Sequence, residues 1–105
     1  MSRKPTNPSE RLAKKYFEDL GFKIRAKDFE ERKKGADFFI ELDGCIQSVE
    51  AKTKMGRWVQ FLKPQLERLR SGGLVALVSS EGVDIKTENE ILTQEEVTLY
   101  RITWK

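Results

Sequence analysis

An α/β fold built on a central mixed β-sheet flanked by helices is predicted by three observations. Asp43-Gly44 sits between two alternating runs, the short-range signature of a two-residue hairpin. Leu74-Val75-Ala76-Leu77-Val78 is nearly all apolar and short, as a strand buried on both sides would be. Helical spacing of apolar residues appears both before the hairpin and between it and that strand. The expected order is α-β-β-β-α-β, followed by a strand-rich tail.

In chain order, Asn7-Pro8-Ser9-Glu10 reads as a helix start, with Asn7 as N-cap, Pro8 at the first helical position and Glu10 closing a capping box. Leu12, Ala13, Tyr16, Phe17 and Leu20 recur at helical spacing, and Gly21 stops the helix. Phe22 to Lys27 alternates apolar and basic residues, which predicts a strand with one buried face and a cationic face of Lys23, Arg25 and Lys27. Glu30 to Lys34 is a charged connection.

The hairpin register follows from its turn: Leu42 faces Cys45, Ile40 faces Gln47, Phe38 faces Val49, and Asp37 falls opposite Glu50. Phe38, Ile40, Leu42, Cys45, Val49 and Ala51 would face the core. Asp37, Glu50 and Lys52 share the other face, because side chains alternate with period two. Like charges placed opposite each other destabilise a sheet, and a bound cation would remove the conflict.

Trp58, Val59, Phe61, Leu62, Gln65, Leu66 and Leu69 fit a second amphipathic helix. Pro64 either kinks it or opens a shorter one, and Ser71-Gly72-Gly73 ends it. By the same spacing Trp58 is a packing residue, with base stacking as the alternative for Trp58 and Trp104. Farther on, Val83-Asp84-Ile85 reads as a short strand, Glu88 to Glu96 as helical, and Thr98 to Trp104 as a strand with Tyr100, Ile102 and Trp104 on one face.

The totals bound the function. A chain of 105 residues with 38% hydrophobic and 35% charged residues makes one domain, spanning 1–105. No apolar run approaches a membrane span. The start, MSRKPTNPSE, lacks the apolar stretch of a secretory signal, and a lone cysteine forms no internal disulfide. The expected setting is therefore cytoplasmic, with no membrane partner. Charge is uneven: residues 1–34 hold eleven Lys and Arg against six acids, and residues 74–105 hold three against six. That asymmetry suits one basic surface turned to nucleic acid, although a solvated lysine-rich surface accounts for the same charges.

Two carboxylates with a lysine on the same face are the groups that metal-assisted phosphodiester hydrolysis requires. Asp37 and Glu50 offer hard oxygen ligands to Mg²⁺ or Mn²⁺, the Ala51 backbone carbonyl adds another, and Lys52 can orient a water or offset developing charge. An ordinary charged sheet face would also contain Glu50 and Lys52. Phosphate contacts are assigned to Arg11, Arg25, Lys27, Lys54 and Arg57, with Arg11 and Arg25 leading.

The element order together with Asp37 and Glu50-Ala51-Lys52 resembles the PD-(D/E)XK nuclease superfamily, with Gly35-Ala36-Asp37 in place of its Pro-Asp half. SERLAKKYFEDLGFKIR is similar to archaeal Holliday-junction resolvases, which carry a Glu-Arg pair early in helix one, a Gly-aromatic step and a basic residue on the first strand; here these are Glu10-Arg11, Gly21-Phe22 and Arg25. The Gly-Ser step that resolvases place before the Asp is missing. Gln65-Leu66-Glu67-Arg68-Leu69 before Gly72-Gly73 resembles the VRR-NUC branch. The resemblance implies a restriction-endonuclease-like core, a Mg²⁺-dependent DNA endonuclease acting on branched DNA as a homodimer, Glu10 as a further metal-site acid, and Gln65 as support for the site. A linear-duplex or flap nuclease and a non-catalytic nucleic-acid-binding module are the alternatives.

Overall fold

The computed structural model describes residues 8–25, 37–54 and 56–105. The Asn7 cap, Lys27, the EERKK connection and Gly35-Ala36 lie outside the described residues. Helix α1 spans Pro8–Asp19 and strand β1 Lys23–Arg25. The hairpin is β2 (Phe38–Leu42) and β3 (Cys45–Thr53), paired in the expected register from Leu42↔Cys45 to Phe38↔Val49. Asp43 and Gly44 both take positive φ, 51° and 82°, as the two-residue turn requires.

Between Thr53 and the next strand of this sheet the chain leaves to form β4 (Trp58–Phe61) and helix α2 (Lys63–Arg70), then returns as β5 (Leu74–Ser79) and β6 (Gly82–Lys86). The first sheet has the order β1-β2-β3-β5-β6; β3 and β5 run parallel and the other pairs antiparallel. The chain is thus an α/β protein with a mixed sheet. Val75, Ala76, Leu77 and Val78 of β5 are all buried, as their unbroken apolar run predicts.

A second, three-stranded antiparallel sheet, β4-β8-β7, is formed with β7 (Ile91–Glu95) and β8 (Tyr100–Trp104). Two expectations are corrected here. Trp58 to Phe61 is a strand, not the start of a helix: Val59 and Phe61 are buried while Trp58 and Gln60 are exposed, a period of two that a four-residue stretch also fits to helical spacing. Pro64 accordingly sits in the first turn of the shorter helix. Glu88 to Glu96 makes one 3-10 turn, Glu88–Glu90, and then extends as β7. The Glu90 carboxylate accepts the Thr87 backbone N–H and hydroxyl, both at 3.1 Å; these bonds hold its pKa below the ordinary value but close a single turn only.

Each face of the first sheet has its own core. Ala13 and Phe17 of α1 pack on Phe38, Ile40, Val49, Ala51, Ala76 and Val78. Leu66 and Leu69 of α2 and the second sheet's Val59, Phe61, Ile91 and Ile102 pack on Val75 and Leu77. Tyr100 and Trp104 join Ile102 on that inner face, as their alternation predicts. Cys45, expected in the core, is exposed, and so is Leu42. The hairpin tip simply extends past the apolar residues of both helices.

Where α2 meets β5 the fit is tight. A Cβ on Gly73 would collide with the Ser48 Oγ and come within 2.9 Å of the Arg68 carbonyl oxygen. Gly73→Ala is therefore expected to destabilise the fold by about 1–3 kcal/mol through overpacking, read as a lowered unfolding temperature.

Candidate functional site

The second core changes the setting of the predicted site. Glu50 and Lys52 pair with Val75 and Leu77 of β5, so their side chains leave the sheet on the face that α2 and the second sheet cover. Glu50 is only 7% exposed. Lys52 is half-buried.

The β2–β3 ladder stops at Phe38↔Val49, one pair short of Asp37 and Glu50. Asp37 lies in a bend, where its N–H donates to the Val49 carbonyl at 3.0 Å. Its carboxylate takes up the next rung, Oδ2 accepting the Ala51 N–H at 2.8 Å. A side chain thus replaces the main chain at this point of the ladder. This fixes the Asp37 carboxylate against the Glu50-Ala51-Lys52 backbone, with its second oxygen not engaged by that bond.

Lys52 is held from α2. Its Nζ donates to Gln65 Oε1 at 3.1 Å and lies 5.1 Å from the centre of the Phe61 ring. Gln65 Oε1 also accepts the N–H of Leu62, the residue preceding the helix, at 2.8 Å. One amide oxygen therefore caps α2 and orients the lysine. Sequence reasoning put Gln65 at the site on resemblance alone; the geometry gives it a physical task. It missed Phe61, whose place beneath Lys52 follows from the Val59–Phe61 alternation before Pro64.

Glu10 is elsewhere engaged, forming an ion pair with Lys14 at 3.1 Å. Among the described residues no three His, Cys, Asp or Glu side chains form a group that could hold a metal, so Glu10 does not complete a trio with Asp37 and Glu50. Ser9, one residue earlier, is buried and hydrogen-bonded to the Thr53 hydroxyl, which ties the start of α1 to the end of β3.

The basic candidates divide. Arg25 lies 3.8 Å from Glu41 on the neighbouring strand, so its charge is partly offset. Arg11 and Arg57 are exposed. Lys54 stands 5.3 Å from the centre of the Trp104 ring. Trp58, expected to pack, is 40% exposed. Beside Lys52 a cleft of about 420 Å³ is lined by Lys52, Thr53, Trp58, Val59 and Gln60.

Among the described residues no helix is long and apolar enough to cross a membrane. The fold is thus an α/β domain in which the Asp37 carboxylate is bonded to the Ala51 amide and the Lys52 ammonium to Gln65. A comparison with protein-family models finds no match, and one with curated proteins finds none either.

Proposed function

We propose that the chain is a divalent-metal-dependent DNA endonuclease of the PD-(D/E)XK type, with a restriction-endonuclease-like core and branched or otherwise structured DNA as its substrate. The observation that carries this reading is the fixed set at the open end of the β2–β3 pair, opposite its Asp43-Gly44 turn. Asp37 is tied to the Ala51 amide, Glu50 is buried next to it in sequence, and Lys52 is oriented by Gln65. An ordinary solvated sheet face needs no such restraint on its lysine.

Two carboxylates suit Mg²⁺, which keeps several waters and takes only one or two protein acids; Asp37 and Glu50 are the residues that would hold it, together with the Ala51 carbonyl. When bound, the cation polarises the phosphodiester and neutralises developing charge. The protein's part is electrostatic and positional. Lys52 presents an ammonium at a fixed place, where it holds the attacking water or offsets charge on the phosphoryl oxygens. Gln65 restricts the long lysine side chain to one direction. Phe61 supplies an aromatic wall that attracts the ammonium. Arg11, Lys54 and Arg57 supply sequence-independent attraction to phosphates. Cutting both strands of a branched duplex calls for two sites, and a homodimer is the corresponding assembly.

The test is incubation with a four-way junction, a flap and a linear duplex in Mg²⁺, Mn²⁺ or EDTA. Cleavage is expected with either metal and absent in EDTA. Binding of these DNAs with no cleavage under any condition would instead identify a binding module. Gln65→Leu is expected to slow cleavage at saturating DNA about 10- to 100-fold, the value of a hydrogen bond to a charged group. DNA affinity should be unchanged, and kcat measured beside Kd separates the two.

A further inference from the structure

The cleft beside Lys52 contains groups that hydrolysis does not use. Its walls are Trp58, Val59 and Gln60 of β4 on one side and Lys52 and Thr53 of β3 on the other. The volume, about 420 Å³, lies within the range of pockets that enclose one small ligand and is far below what a duplex needs.

The aromatic wall is braced. The Arg101 guanidinium sits 4.8 Å from the centre of the Trp58 ring and is held in turn by Glu96 at 2.5 Å. Register explains the contact: Trp58 pairs with Thr103 and Gln60 with Arg101, so Trp58, Gln60 and Arg101 share the face of the second sheet turned away from its core. Trp58 thus stays 40% exposed yet keeps a fixed neighbour. β4 is also an edge strand of its sheet, and Gln60, whose amide has donors and an acceptor, lines the cleft. A flat aromatic surface, a polar amide and a cation at the far wall match the three parts of a nucleotide: the face of the base, its edge and its phosphate.

We infer that this cleft receives an unstacked nucleobase next to the phosphate at Lys52, with Trp58 as its stacking platform. The inference rests on the reading of Lys52 as a phosphodiester-site lysine and narrows the substrate class. The preferred DNA carries an unpaired nucleotide at the cut, as a branch point or bulge does, and a continuous duplex is a poor ligand because its bases are already stacked. Base stacking on an aromatic side chain is sequence-tolerant because every base has a π-face. No sequence preference is expected from Trp58.

The test is fluorescence anisotropy in EDTA, with no cleavage step, using a labelled duplex that contains one unpaired nucleotide and its fully paired counterpart. Wild type is expected to bind the first more tightly. Trp58→Ala should lose about 5- to 100-fold of affinity for that DNA and leave the paired duplex unaffected, whereas Trp58→Phe keeps part of the preference. Thermal unfolding of both variants checks that the second sheet is intact. Equal affinity of wild type for the two DNAs, or an unchanged preference in folded Trp58→Ala, would overturn the inference. Since no metal is present, these results are independent of whether the protein cleaves.

Discussion

Lys52→Ala is expected to reduce DNA cleavage by about 10²–10⁴-fold, the range that a positioned acid–base or electrostatic group contributes. Stability should change little. Lys52 is half-buried, and Gln65 Oε1, its hydrogen-bond partner, still accepts the Leu62 N–H once the lysine is gone. The Gln65 acceptor is therefore not stranded, and a stranded group is what makes such a deletion expensive. Single-turnover cleavage measured beside a thermal melt distinguishes a chemical from a structural effect. Lys52→Arg should not restore the rate, because a forked guanidinium cannot take the place of a point ammonium between Gln65 and Phe61. Cleavage by Lys52→Ala at the wild-type rate would remove this residue from the site.

Phe38→Ala should have the largest effect on folding, about 3–5 kcal/mol, against a total stability of about 5–15 kcal/mol for a domain. Phe38 is buried at the centre of the α1-side core. Its ring meets that of Phe17 edge-on at 6.2 Å, and Phe17 meets Phe22 at 5.4 Å. Truncation would open a cavity between α1 and the sheet that neither rigid element can close. Leu42, four residues along the same strand and on the same face, is 42% exposed, so Leu42→Ala should fall within about 0.5 kcal/mol of wild type. The pair of urea midpoints locates the end of the core on β2.

The contrast between these two positions also shows how far the sequence was legible. Period-two alternation around a two-residue turn gives pairing partners directly, and the register from Leu42 to Phe38 came out as expected. Alternation says nothing about where neighbouring elements end, which is why it assigns Cys45 and Leu42 to a core that stops short of them. The second sheet is not legible in the sequence for a related reason: Trp58 to Phe61 is too short for periodicity to separate a strand from a helix, and its partner β8 lies about 40 residues away. Lys52 and Gln65 are each legible in the sequence, but the bond between them depends on the start of α2 at Lys63. For Asp37, the side-chain bond to Ala51 took the place of the direct opposition that register alone suggested.

We propose that Asp37 and Glu50 hold a divalent cation beside Lys52. Mn²⁺ titration followed by electron paramagnetic resonance tests it without requiring a substrate. Wild type and Lys52→Ala are expected to bind Mn²⁺ saturably, and Asp37→Asn and Glu50→Gln to lose most of that binding while remaining folded. Equal Mn²⁺ uptake by wild type and the Asp37→Asn, Glu50→Gln double variant would contradict the account.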